Sequence, residues 1–112
     1  MYPINLVSDF ILEAEVKRDF VISSLRDHAA ELHDLGVAHL YLFGSVVRQE
    51  EKTDSDVDLF FDTDNPRFSL IDLVDVQDRV SEILGMTSDV MTRASLHPVL
   101  KPRIEAEALR IF

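Results

Sequence analysis

Residues 42–61 read LFGSVVRQEEKTDSDVDLFF, with an apolar run at each end and a polar spacer between them. The first run stops at the small pair Gly44 and Ser45, and the second begins at the acidic pair Asp56 and Asp58. Apolar runs of this length predict two buried strands, joined by a spacer that starts as a helical turn. Because side chains alternate along a strand, both aspartates are expected on one face of the second strand.

The glycine-serine turn and the acidic pair are suited to the two components of one reaction, a phosphate group and divalent cations. A turn without bulky side chains lets backbone N–H groups approach phosphate oxygens. Two carboxylates on one face can share hard divalent cations. Together they are what metal-assisted phosphoryl or nucleotidyl transfer requires. An Asp-x-Asp pair alone is also typical of a solvated edge strand, so the interpretation depends on the turn.

A site for two metal ions needs a third carboxylate, and the sequence offers Asp62, Glu50 and Asp89. Asp89 lies in a third predicted strand, over residues 86–92. If that strand lies beside the second, its carboxylate comes within several ångströms of the pair. Asp62 lies further along the strand of the pair itself. The residues therefore favour Asp89 over Asp62 and leave the choice open.

The rest of the pattern predicts an α+β fold, a small mixed β-sheet with flanking helices. Residues 1–14 are expected to form an N-terminal extension, as a short helix or an arm, and residues 15–112 the domain. Apolar spacing predicts a helix over residues 16–35 that ends at Gly36. Its expected inward-facing residues are Val16, Phe20, Ile22, Leu25, Ala29, Leu32 and Leu35.

A second helix is predicted over residues 70–84. Ser69 and Asp72 form a capping box at its start, and Gly85 provides its stop. Its expected inward-facing residues are Leu70, Leu73, Val74, Gln77, Val80 and Leu84. A last helix over residues 104–109 and a short strand over 110–112 complete the prediction.

Composition and net charge narrow the range of possible functions further. The chain has 112 residues, enough for one domain with a real core, and no cysteine, which fits a cytoplasmic protein. No apolar run reaches the length of about 18 residues that a membrane span needs. The net charge of −10 argues against binding of duplex nucleic acid. Such acidity suits a basic partner or a small anion delivered with a metal, although it also simply maintains solubility.

These residues resemble the DNA polymerase β-like nucleotidyltransferase superfamily, whose signature is Gly-Ser, a ten-residue spacer and Asp-x-Asp. The small size, the Gly-Ser pair and the ending PRIEAEA at residues 102–108 look like its minimal nucleotidyltransferase branch. The likeness covers residues 16–112. It implies the polymerase β-like nucleotidyltransferase fold and a place as antitoxin in a type VII-like toxin–antitoxin module.

The same resemblance implies an activity and a partner. Such antitoxins use Mg²⁺ to transfer AMP from ATP to a tyrosine of a HEPN-domain RNase toxin, and a complex with that toxin is expected. By position, the roles are as follows: Gly44 and Ser45 hold the triphosphate, Asp56 and Asp58 hold two Mg²⁺ ions, and Asp89 completes the metal site and helps deprotonate the attacking hydroxyl. Arg48 either offsets phosphate charge or pairs with Glu50 or Glu51. Val47 and Gln49 depart from the branch, which expects smaller residues there.

Two rival functions stay open at this point. An antitoxin that neutralises its toxin by contact alone would carry a vestigial metal site. A nucleotidyltransferase acting on a small molecule would usually carry an added helical domain.

Overall fold

The structure, a computed structural model, describes the backbone of residues 6–48 and 57–112, with side chains from Val16 onward. Asp56, predicted as a metal ligand, lies outside the described residues. Glu50, a weaker candidate for the third ligand, also lies outside them.

The helices, in chain order, are α1 (Leu6–Asp27), α2 (Ala29–Asp34), α3 (Leu70–Leu84) and α4 (Lys101–Glu107), with a 3₁₀ turn at Arg93–Ser95. The predicted helix over residues 16–35 is therefore two helices. They separate at His28, whose φ of −103° and ψ of 18° leave the helical region. Because α1 runs past residue 14 without a break, it crosses the predicted boundary; the division into 1–14 and 15–112 stays a prediction. Of the described helices, none is long and apolar enough to cross a membrane.

The strands form a four-stranded mixed sheet. They are β1 (His39–Phe43), β2 (Val57–Asp62), β3 (Ser88–Thr92) and β4 (Leu109–Arg110), in the order β3-β2-β1-β4. The first strand pairs antiparallel with β2 and β4, whereas β2 and β3 are parallel and joined through α3. The predicted α+β class is confirmed, and so is the expectation that the third strand lies beside the second.

Local sequence explains why α3 begins and ends where it does. The Ser69 hydroxyl accepts a hydrogen bond from the Asp72 backbone N–H at 3.3 Å, and the Asp72 carboxylate accepts one from the Ser69 N–H at 2.8 Å. This capping box satisfies two backbone donors that a helix start leaves unpaired. Gly85 ends the helix in the left-handed conformation, at φ +65°. Both predicted ends of α3 are confirmed.

The main hydrophobic core fills the space between one face of the sheet and α1, α2 and α3. Its strand residues include Leu40, Leu42, Val57, Leu59, Phe61 and Val90. A smaller cluster covers part of the opposite face, where Phe43, Phe60 and Leu96 are buried against Ile104 of α4. Phe60 lies on the same strand face as Asp58 and is fully buried there.

Two predicted helix faces are partly wrong. Leu70 and Val74 of α3 are 75 % and 51 % exposed, whereas Val76, which was not assigned to the core, is fully buried. At 100° per residue, these two side chains lie about 120° and 160° around the helix from Val76. Val16 and Phe20 of α1 are likewise exposed.

Candidate active site

The turn at Gly44 is built around the carboxylate of Asp58. Gly44 directly follows β1 and has φ +80°, a left-handed conformation that favours glycine. A Cβ at this position would lie only 2.3 Å from Asp58 Oδ2. The chain then closes a helical turn, in which the Arg48 N–H donates to the Gly44 carbonyl at 3.2 Å. The absence of a side chain at residue 44 therefore lets the backbone turn approach the acid.

Asp58 and Asp89 are direct register partners on the parallel strands β2 and β3. Adjacent strands lie about 4.8 Å apart, and partners in register share a sheet face. Asp58 is partly buried and Asp89 exposed, so the pair opens towards solvent at this end of the sheet. The structure thus brings the favoured third carboxylate beside the second aspartate of the predicted pair.

The rival third carboxylate, Asp62, is held in an ion-pair network. Arg93 donates to both of its oxygens, at 2.7 Å and 3.0 Å, and to Glu105 at 2.5 Å. The same guanidinium stacks over the rings of Tyr41 and Phe60, about 5 Å from each centroid. Donation to Asp62 raises the pKa of Arg93 above its ordinary value. Asp62 is therefore part of the attachment of α4 and the 3₁₀ turn to the sheet.

A cleft of about 280 Å³ opens beside Asp58. Its walls are Phe43, Gly44, Arg48 and Asp58 on the sheet side, and Leu100, Arg103, Ile104 and Glu107 on the side of α4. These four positions, from the N-cap Leu100 through α4, follow the i, i+3, i+4, i+7 spacing of a single helix face. Arg48 reaches across and donates to Glu107 Oε1 at 3.0 Å, which joins the glycine turn to α4.

The structure brings together some of the predicted site residues and does not describe others. Gly44, Arg48 and Asp58 line one cleft, with Asp89 in register beside Asp58 and Ser45 next in the turn. The predicted pairing of Arg48 with Glu50 or Glu51 falls on undescribed residues, and its described partner is Glu107. The sequence did not predict the side of the cleft formed by Leu100, Arg103, Ile104 and Glu107, which we call the α4 wall. The sequence feature that could have revealed this wall is the helical spacing of the same four residues.

The donor set suits a hard cation. Asp58 and Asp89 offer carboxylate oxygens, the ligands that Mg²⁺ prefers, and the Asp58 carboxylate lies where a side chain at residue 44 would otherwise be. Within residues 16–48 and 57–112, no cluster of three metal-ligating side chains is present. Asp56, which the prediction groups with Asp58 and Asp89, lies outside these ranges.

Comparison with known proteins agrees with this geometry. Residues 22–111 match the nucleotidyltransferase domain family. A Methanocaldococcus jannaschii protein named as a protein adenylyltransferase is 41 % identical over 69 % of this chain and 82 % of its own length. The protein adenylyltransferase MntA of Thermococcus cleftensis is 36 % identical over 66 % of this chain and 75 % of its own.

The chain belongs to the nucleotidyltransferase domain family.

Solved structures extend this result to the fold. A minimal nucleotidyltransferase structure superposes with a TM-score of 0.63 at 25 % identity, covering 88 % of this chain and 93 % of its own. An MNT antitoxin, solved in complex with a tri-AMPylated HEPN toxin from Shewanella oneidensis, has the same fold, with a TM-score of 0.55 at 17 % identity, covering 88 % of this chain and 71 % of its own. The resemblance to minimal nucleotidyltransferases is confirmed, and the chain is a nucleotidyltransferase.

Proposed function

We propose that this nucleotidyltransferase is an antitoxin that transfers AMP from ATP to a tyrosine of a HEPN-domain RNase toxin and thereby neutralises it. The observation that carries the proposal is the Asp58–Asp89 register pair, in which the Asp58 carboxylate lies against the Gly44 turn. Relatives named as protein adenylyltransferases, and a similar fold solved with an AMPylated HEPN toxin, support the choice of donor and acceptor.

The reaction is attack of the tyrosine oxygen on the α-phosphorus of ATP. A bond forms between that oxygen and phosphorus, the bond to the bridging oxygen of the β-phosphate breaks, and pyrophosphate leaves. In this proposal Asp89 accepts the proton of the hydroxyl, because it is exposed beside Asp58 and open to an incoming acceptor. The backbone of Gly44 and Ser45 holds the triphosphate, and Arg48 offsets part of its charge.

The proposed cation is Mg²⁺, two ions held by Asp56, Asp58 and Asp89, which when bound would offset the charge that develops on the attacking and leaving oxygens. The described residues fit this assignment through the chemistry of their donors. Gly44 contributes by having no Cβ, since a Cβ would lie 2.3 Å from Asp58 Oδ2 and would displace the carboxylate.

Charge supports a protein acceptor that is basic. The chain carries a net charge of −10, which would speed association with a basic surface and make the association sensitive to salt. The partner in this proposal is therefore a helical, comparatively basic toxin.

Intact-mass spectrometry of the toxin tests the proposal. A HEPN-domain protein encoded next to this chain is incubated with the nucleotidyltransferase, ATP and Mg²⁺. We expect the toxin to gain the mass of one or more AMP units, on tyrosine, and to gain none when Asp58→Asn replaces the native chain. A toxin that is inhibited in a tight complex but keeps its original mass would contradict the proposal and favour neutralisation by contact. AMP found only on a small molecule would also contradict it.

A further inference from the structure

The α4 wall of the cleft carries a cation that the proposed reaction has not yet used. Arg103 lines the cleft across from Gly44 and Asp58, on the same helix face as Leu100 and Ile104. Ile104 packs against the cluster of Phe43 and Phe60, so this face of the helix is fixed against the sheet. Arg103 is exposed and lines the cleft.

Most arginines of the described chain are already engaged. Arg79 pairs with Glu31 and Glu82, and Arg93 pairs with Asp62 and Glu105. Arg103, in contrast, forms no hydrogen bond or ion pair within the part of the chain that the structure describes. Its position beside a cleft thus leaves all of its donors available to a ligand.

The nearest acid on its own helix face does not capture it. Glu107 is four residues along α4, a spacing at which side chains meet, yet its Oε1 accepts from Arg48 instead. In a chain of net charge −10, a cation kept available at a cleft favours an anionic ligand there. The planar guanidinium fork matches phosphate oxygens and can bind two of them at once.

We infer that Arg103 binds the polyphosphate of the nucleotide from the α4 side of the cleft, an inference that rests on the proposed function. Arg48 and Arg103 then differ in role. Arg48 offsets phosphate charge while it also bonds to Glu107 and joins the glycine turn to α4, whereas Arg103 has no bond in the described chain and contacts the substrate alone. The ligand class is a nucleoside polyphosphate, held between the Gly44 turn and α4.

Binding of ATP to the full chain, measured by isothermal titration calorimetry in the presence of Mg²⁺, tests the inference. Arg103→Gln should weaken ATP binding about 10- to 100-fold, the range expected for charge-assisted hydrogen bonds. Arg103→Lys should recover a large part of that loss, because it keeps the charge. Arg67→Gln is the matched control, since Arg67 is exposed, forms no side-chain bond in the described chain and lies beyond the far end of β2; it should bind as the native chain does.

Salt dependence separates a phosphate contact from a packing role. Arg103→Gln should lower the slope of log Kd against log salt concentration, because one charge contact with the polyphosphate is lost. The inference is overturned if Arg103→Gln binds within about twofold of the native chain. It is also overturned if the Lys and Gln variants are equally weak with an unchanged salt slope. A native chain that fails to bind ATP would instead refute the proposed function, and the inference with it.

Discussion

Asp58 and Asp62 lie on the same face of β2, but their neighbours give them different roles. Asp62 faces Arg93, which donates to both of its oxygens and thereby neutralises it. Asp58 has a second carboxylate, Asp89, as its register partner, and its own carboxylate lies against the Gly44 turn. Two carboxylates that lie side by side repel each other, so a bound cation is stabilised between them. In our proposal, the neighbours of each carboxylate, and not the strand face, decide its role.

The largest expected effect separates the two aspartates directly. Asp58→Asn should lower the rate of AMP transfer by about 1,000-fold, because it removes a preorganised charge from the reacting centre. Asp62→Asn should leave the rate within about twofold, since this side chain lies outside the cleft. Both rates are measured by pyrophosphate release with the toxin as acceptor. Equal losses in the two variants would mean that the two ends of β2 do not differ in function.

Asp89 is expected to behave like Asp58 and unlike Asp62. Asp89→Asn should reduce transfer by about 100-fold, because its carboxylate adjoins Asp58 and accepts the proton of the attacking hydroxyl in our proposal. The melting temperature should stay close to the native value, as Asp89 is exposed. Single-turnover measurements at saturating ATP isolate this step. An active Asp89→Asn together with an inactive Asp62→Asn would assign the third carboxylate to Asp62 instead.

Two glycines with positive φ allow the contact between Gly44 and Asp58 to be tested against a matched control. Gly44→Ala should reduce transfer by about tenfold or more, because its Cβ would displace the Asp58 carboxylate, 2.3 Å away. Gly85→Ala is the matched control: its φ is +65° and its Cβ would meet nothing within 4 Å. Each substitution should cost about 1 kcal/mol of backbone strain, measured by urea denaturation, but only the first should affect transfer. A comparable loss of activity in Gly85→Ala would show that reduced stability explains the loss of AMP transfer in both variants.

The smallest expected effect is on stability at the Asp62 end. Asp62→Asn should lower the free energy of unfolding by about 1 kcal/mol, since it weakens a partly exposed, bidentate ion pair and leaves Arg93 with Glu105 alone. In a domain of this size that corresponds to a fall in melting temperature of about 3–6 °C. Thermal unfolding followed by circular dichroism gives the value. A melting temperature equal to the native one would show that the network does not attach α4 to the sheet.

The sequence predicted those features whose determinants are local. The capping box of Ser69 and Asp72, the stop at Gly85 and the three main strands depend on neighbouring residues, and the structure confirms them. The position of Asp89 beside β2 depended on a prediction of the strand order, which the parallel pairing of β2 and β3 confirms.

What the sequence did not predict depends on contacts between distant segments. The network around Arg93 joins Asp62 and Glu105, which no local pattern connects. The exposure of Leu70 and Val74 depends on how α3 is rotated against the sheet, and apolar spacing alone fits two such rotations. The α4 wall was missed because its contribution to the cleft depends on packing against Phe43 and Phe60.

The most direct test of the difference between the two ends of β2 is a titration of each variant with Mn²⁺ in the absence of nucleotide, with free Mn²⁺ followed by electron paramagnetic resonance. This measurement depends on the carboxylates alone and needs neither toxin nor ATP. We predict that Asp58→Asn and Asp89→Asn each weaken Mn²⁺ binding about tenfold or more, whereas Asp62→Asn binds as the native chain does. A native chain that binds no Mn²⁺, or an Asp62→Asn variant as weak as Asp58→Asn, would contradict the assignment of the site to the Asp58 end of the strand.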